Sequence, residues 1–178
     1  MAKQYDENGV RIGDDGLPMT KARQRLHSLY NFCFIYLVVT FIAAVAFIAG
    51  AYFQGQEITD WELVAQGGNQ FNGLPVATIM RIEALFLLFC GIVCLLANLK
   101  GMARLYDDAP YRPIHRILIV MSVVSPLYFI GFLLIVRIPD PASLIMTVVG
   151  FLGLRFLKDV EIEAKLDEMK KNGSAKKH

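Results

Sequence analysis

PVATIMRIEALFLLFCGIVCLLANLKG, residues Pro75 to Gly101, decides how the rest of the chain is read. The run is apolar and exceeds the ~20 residues with which a helix crosses a bilayer. It nevertheless carries Arg81 and Glu83. Either charge near a bilayer centre costs on the order of 3 kcal/mol on insertion scales, so a chain that keeps both is expected to give each a partner. Arg81 lies about six residues in, roughly 9 Å below that end of the helix. Its long side chain can snorkel outward, whereas Glu83 is deeper and shorter. Positions two apart point to different faces, so these two are not expected to pair with each other. Glu83, Leu87, Cys90, Cys94 and Ala97 follow a four-three-four-three spacing. That face is expected to turn inward, with Asn98 at its inner end.

The composition agrees with a membrane reading. Of 178 residues, 55% are hydrophobic and 19% charged, and the apolar ones are bunched into long runs instead of being spread at core periodicity. A formal net charge of +2 implies no global field for nucleic acid. The first 27 residues are polar, which argues against a cleavable signal at the extreme N-terminus. Cys33, Cys90 and Cys94 all lie inside apolar runs, so no disulfide framework is expected.

Outward from the opening stretch, three further runs can span. Thr20 is placed to cap a helix from Lys21, and the first span covers about 29–53. Ala46 and Gly50 form a small-xxx-small pair there. The segment 54–74 is polar, with Glu57, Asp60 and Glu62 and no Lys or Arg. Thr59 to Glu62 fits a capping box for a short helix, and Trp61 suits an interfacial anchor. The second span covers about 76–99. Residues 98–116 read as a basic connection broken by Pro110 and Pro113.

The third span covers about 117–136. Pro126 should kink it, with Ser122 and Ser125 able to re-satisfy the freed carbonyl. Arg137 to Ser143 reads as a tight turn, with Asp140 as cap and Pro141 at the first helical position. The fourth span, about 142–157, is short and contains Arg155. Snorkelling of Arg155 and Lys158 would let it cross. Residues 159–178 read as a charged helical extension with a frayed tail, pairing Glu161 with Lys165 and Asp167 with Lys171. Residues 1–20 read as a polar tail, with Asn8-Gly9 and Asp15-Gly16 allowing a small ribbon.

The expectation is an all-α integral membrane four-helix bundle over residues 21–158. Lys and Arg crowd the N-terminus, the 98–116 connection and the C-terminal tail, while the other side holds only Arg81 and Arg137. The positive-inside rule then puts both termini in the cytoplasm. Arg81, Glu83, Arg137 and Asp140 fall at one level near the outer face. Pairing of Glu83 with Arg137, and of Arg81 with Asp140, is expected, as a packing clamp or as a substrate or proton site.

Other chemistry is weakly signalled. His27 and His115 sit at cytoplasmic span ends, shallow for a haem pair. Cys90 and Cys94 share a face and read as small apolar filler before a soft-metal site. Serines such as Ser28 and Ser143 lack an evident base. No catalytic residue, metal site or cofactor is expected. Lys and Arg at the inner face should attract anionic lipid.

Tyr106-Asp-Asp-Ala-Pro-Tyr111, followed by Arg116 opening an Ile/Leu-rich span with Pro126, resembles a family of small uncharacterised bacterial four-helix membrane proteins often encoded beside helix-turn-helix regulators. Ala109 and Tyr111 or Arg112 stand where that family often has Gly and Phe. The resemblance implies a multi-pass protein of a bacterial inner membrane and carries over no site residue. The functional expectation is a non-enzymatic accessory, assembly or sensory subunit working through a protein partner. The alternative is a small homo-oligomeric transporter or channel using Glu83 and Arg81.

Overall fold

The computed structural model describes residues 12, 18–57, 70–71, 74–106 and 111–175. Among them run four helices: α1 (Lys21–Glu57), α2 (Val76–Tyr106), α3 (Tyr111–Val136) and α4 (Pro141–Ala175). Two short strands, β1 (Gln70–Phe71) and β2 (Leu74–Pro75), pair antiparallel just before α2. The sequence between them is Asn72-Gly73, a dipeptide that two-residue hairpins favour. Ile12 and Pro18 form an isolated antiparallel bridge. The expected capping box at 59–62 and Trp61 lie outside the described residues, as do the side chains of the expected Asp167–Lys171 pair.

Three of the helices are long and apolar enough to cross a membrane: Lys21–Phe53, Val76–Leu105 and Tyr111–Val136. Their outward faces carry large apolar side chains such as Phe34, Ile42, Leu85, Leu127 and Leu134, all more than half exposed. A water-facing surface of that kind would be an aggregation hazard, whereas hydrocarbon solvates it. Backbone groups inside such helices bond within their own segment, as a bilayer interior requires.

The helices run alternately up and down. Tyr30 packs on Gly101, Leu37 and Thr40 on Gly91, and Met80 on Gly50, so α1 and α2 are antiparallel along most of their length. Leu118 meets Gly153, and Met121 and Ser122 meet Gly150, which makes α3 and α4 a second antiparallel pair. Tyr128 of α3 lies against Glu83 and Phe86 of α2. Leu29 of α1 meets Gly153 of α4. The start of α1 and the charged extension of α4 therefore share one end. There, the Thr20 hydroxyl donates to the Glu163 carboxylate at 2.6 Å and accepts from the Arg23 N–H, the expected cap. The Arg23 guanidinium donates to the carbonyls of Pro18 and Leu105, tying the end of α2 to the start of α1.

The inward face expected of α2 is buried throughout: Glu83, Leu87, Cys90, Cys94 and Ala97 are all under 8% exposed. Asn98 donates to the Tyr30 carbonyl at 2.8 Å. Other expectations are corrected. Of the expected small pair on α1, Gly50 meets Met80 of α2 but Ala46 is exposed, and Ala44 and Ala51 are the buried small residues. The basic connection shrinks to 107–110, because α2 continues to Tyr106 and α3 starts at Tyr111. Pro113 sits in the first turn of α3, where a missing N–H removes no helical bond. At Pro126 the Ser122 hydroxyl turns back to the carbonyls of Leu118 and Ile119, and the Ser125 hydroxyl is buried without a partner among the described residues. Of the acid-first pairs, Glu161–Lys165 forms at 3.6 Å.

A Cβ at Gly150 would sit 2.7 Å from the Ser122 backbone nitrogen, whereas one at Gly131 would meet nothing within 4 Å. Gly150→Ala must push α4 off α3 and is expected to cost about 1–3 kcal/mol. Gly131→Ala is expected to be neutral or to stabilise by up to ~1 kcal/mol. Melting temperatures of the two variants in one detergent, the first lower by several degrees and the second not lowered, check the packing.

Candidate functional site

A helix that begins inside a bundle cannot leave its first amides to water. At α4 the Asp140 carboxylate takes them: one oxygen accepts from the Ala142 N–H at 3.0 Å, the other from the Ser143 N–H at 2.7 Å. The Ser143 hydroxyl donates back to the Asp140 carbonyl at 3.0 Å. Pro141 holds the first helical position, as the sequence predicts. From α1, the Tyr36 hydroxyl donates to the Ala142 carbonyl at 3.0 Å, locking the start of α4 halfway along α1.

Just before this cap, α3 ends at Val136 and Arg137 takes a left-handed conformation, φ 62°. Its N–H bonds the Leu133 carbonyl at 3.0 Å, the single bond of an αL helix stop. Glycine is the usual residue there, because a Cβ in that conformation costs ~1–2 kcal/mol. The turn throws the Arg137 side chain outward, where it is exposed.

Glu83 enters from α2 and is 7% exposed. Its carboxylate accepts from the Tyr128 hydroxyl at 2.8 Å. Tyr128 is held by stacking on Phe86, with ring centroids 3.6 Å apart, and on Phe132 at 5.6 Å. The Asp140 carboxyl group lies beside that of Glu83. Both face a cavity of about 440 Å³ whose remaining wall is largely apolar, with Thr40, Phe47, Ile79, Phe132 and Ile145 among its residues.

The four charged residues singled out from sequence are thus split. Glu83 and Asp140 come together at the cavity; Arg81 and Arg137 are on the exposed surface. Among the described residues neither expected ion pair, Glu83–Arg137 or Arg81–Asp140, forms. A hydroxyl and two backbone amides replace the cations, because Asp140 is consumed by the cap and the αL turn aims Arg137 away.

Sequence reasoning missed Tyr128 and Tyr36. Each puts a phenol inside an apolar run, and a buried hydroxyl needs an acceptor, which was the available signal.

The other candidates resolve into packing. His27 shares a hydrogen bond with Asn31 at 3.3 Å, and His115 stacks on Tyr111. They sit on α1 and α3, which make little contact with each other. Cys33, Cys90 and Cys94 are free and buried, with the Cys94 thiol 3.5 Å from the Met146 sulfur. Among the described residues no group of three or more His, Cys, Asp or Glu side chains is arranged to hold a metal ion. Comparison with protein-family models, curated proteins and solved structures finds no match to the chain.

Removing the cap leaves amides of α4 unbonded inside the bundle. Asp140→Ala is expected to cost about 1–2 kcal/mol, and Asp140→Asn less, since the amide oxygen still accepts one N–H. Arg137→Gln is expected to stay within ~0.5 kcal/mol, as an exposed substitution does. A loss of ~3 kcal/mol or more for Arg137→Gln in thermal unfolding would mean that this cation balances a buried carboxylate after all.

Proposed function

We propose that the chain is a four-span protein of a cell membrane, a bacterial inner membrane, with both ends cytoplasmic, and that it binds a lipophilic cation in the cavity at Glu83 and Asp140. The orientation is supported by where the cations gather. Lys21, Arg25, Arg104, Arg112, Arg116 and Lys158 lie at the end shared by the start of α1 and the extension of α4, which the positive-inside rule assigns to the cytoplasm. The fourth crossing rests on α4, whose Arg155 and Lys158 are both exposed and long enough to reach the interface.

The observation that carries the binding reading is the pairing of two buried carboxyl groups in an apolar cavity with no cation beside them among the described residues. Two carboxylates in such a place repel unless a proton or a cation is shared between them. An apolar wall with few convergent polar groups suits a small organic ligand, and acidic side chains inside a membrane are by default functional. A small transporter that exchanges such a cation for protons through Glu83 follows from this chemistry. Arg81, exposed on the surface, takes no part.

A second reading, a non-enzymatic accessory, assembly or sensory subunit, is favoured by the extension of α4. There Ile162, Leu166 and Met169 form an exposed apolar stripe at helical spacing, suited to a partner helix.

The two readings part on one substitution. Glu83→Gln keeps the acceptor for Tyr128 and removes the charge. It is expected to weaken tetraphenylphosphonium binding to the detergent-purified protein by at least about tenfold, with melting unchanged, and to abolish proton-coupled flux of that cation in liposomes. Unaltered binding by Glu83→Gln, or none by the wild type, overturns the cavity reading and leaves the subunit reading standing.

A further inference from the structure

A second concavity, about 660 Å³, opens where α1 begins alongside α4, at the end opposite the carboxylate cavity. Its α1 wall carries Lys21, Arg25, Ser28 and Phe32, whose four-three-four spacing keeps them on one face. Leu29 and, from α4, Phe156 complete the lower part. Polar and apolar side chains are separated along it. Two exposed cations stand at the mouth, and two aromatic rings and a leucine lie below, where the helix enters its apolar run. Lys21 and Phe32 are about 16 Å apart along the helix axis. The Ser28 hydroxyl is bonded to the Gln24 carbonyl at 3.0 Å and the Gln24 amide, also on this wall, to the Met19 carbonyl at 2.9 Å, so Lys21 and Arg25 are the charged groups at the mouth. Neither has an ion-pair partner among the described residues.

We propose that this groove is a site for one anionic phospholipid of the cytoplasmic leaflet. The phosphate lies between Lys21 and Arg25, and an acyl chain runs along Leu29, Phe32 and Phe156. The assignment rests on the membrane reading above. It is argued from charge complementarity at the mouth and from the change to apolar side chains within one lipid headgroup's reach. Headgroup attraction is worth about 1 kcal/mol per basic residue near the surface. A guanidinium adds directional hydrogen bonds to phosphate oxygens, which the diffuse basic belt does not. A soluble phosphate would leave the apolar half of the groove unused, so the occupant is a lipid.

The test uses the full chain and two double variants that remove equal charge. Lys21→Gln with Arg25→Gln empties the groove mouth. Lys100→Gln with Arg112→Gln removes two exposed cations elsewhere on the same end. Flotation with vesicles comes first: a chain that does not float overturns the membrane reading and this site with it. For a chain that floats, native mass spectrometry after equilibration with equal phosphatidylglycerol and phosphatidylcholine reads retained lipid. The wild type and the Lys100/Arg112 variant are expected to retain one phosphatidylglycerol preferentially. The Lys21/Arg25 variant is expected to lose that preference by on the order of tenfold. No preference in the wild type, or equal loss in both variants, overturns the site while leaving the membrane reading intact.

Discussion

The start of α4 is the constraint on which the rest of the structure turns. A helix whose first amides are buried must find acceptors, and one aspartate supplies both. Because both Asp140 oxygens accept backbone N–H bonds, its carboxylate is held at the cap, on the wall of the cavity. Because the Tyr36 hydroxyl holds the Ala142 carbonyl, α4 cannot slide along α1. The place of Asp140 beside Glu83 follows from that register.

The second constraint is close approach. Four glycines on α2 and α4 stand against side chains or backbone of α1 and α3: Gly91, Gly101, Gly150 and Gly153. Lipid tails are as apolar as leucine, so helices in a bilayer gain little from hiding apolar surface and depend on packing contact and hydrogen bonds. Glycine at these points lets the helices come near enough for both. Gly101 accommodates the hydroxyl-bearing end of the Tyr30 ring, a side chain that is fully buried. The cysteines belong to the same economy of volume, filling the centre between α1, α2 and Met146 of α4.

The two ends of the bundle differ in kind. At one, hydrogen bonds among Thr20, Glu163, Arg23 and the end of α2 gather three chain segments under a surplus of positive charge. At the other, the surplus charge inside the fold is negative, and the two arginines of that region face outward. The cavity presents apolar walls and two carboxyl groups; the concavity at the opposite end presents the exposed Lys21 and Arg25. That polarity, and not any single residue, distinguishes the two concavities.

Much of this was legible in the residue order. Long apolar runs, the spacing from Glu83 to Ala97, the caps at Thr20 and Asp140, and the gathering of Lys and Arg are all local or periodic signals. Helical geometry turns them into faces and ends without reference to other parts of the chain. The partners of Glu83 and Asp140 were not legible. Coulomb attraction alone favours Arg137 for Glu83, and one-dimensional order cannot show that a left-handed residue at the end of α3 turns that side chain away. Nor does sequence say that Tyr128, forty-five positions on, arrives at 2.8 Å. Which groups share a cavity depends on how four helices cross and slide, and only the tertiary structure decides that, because it is set by side-chain contacts summed over distant segments.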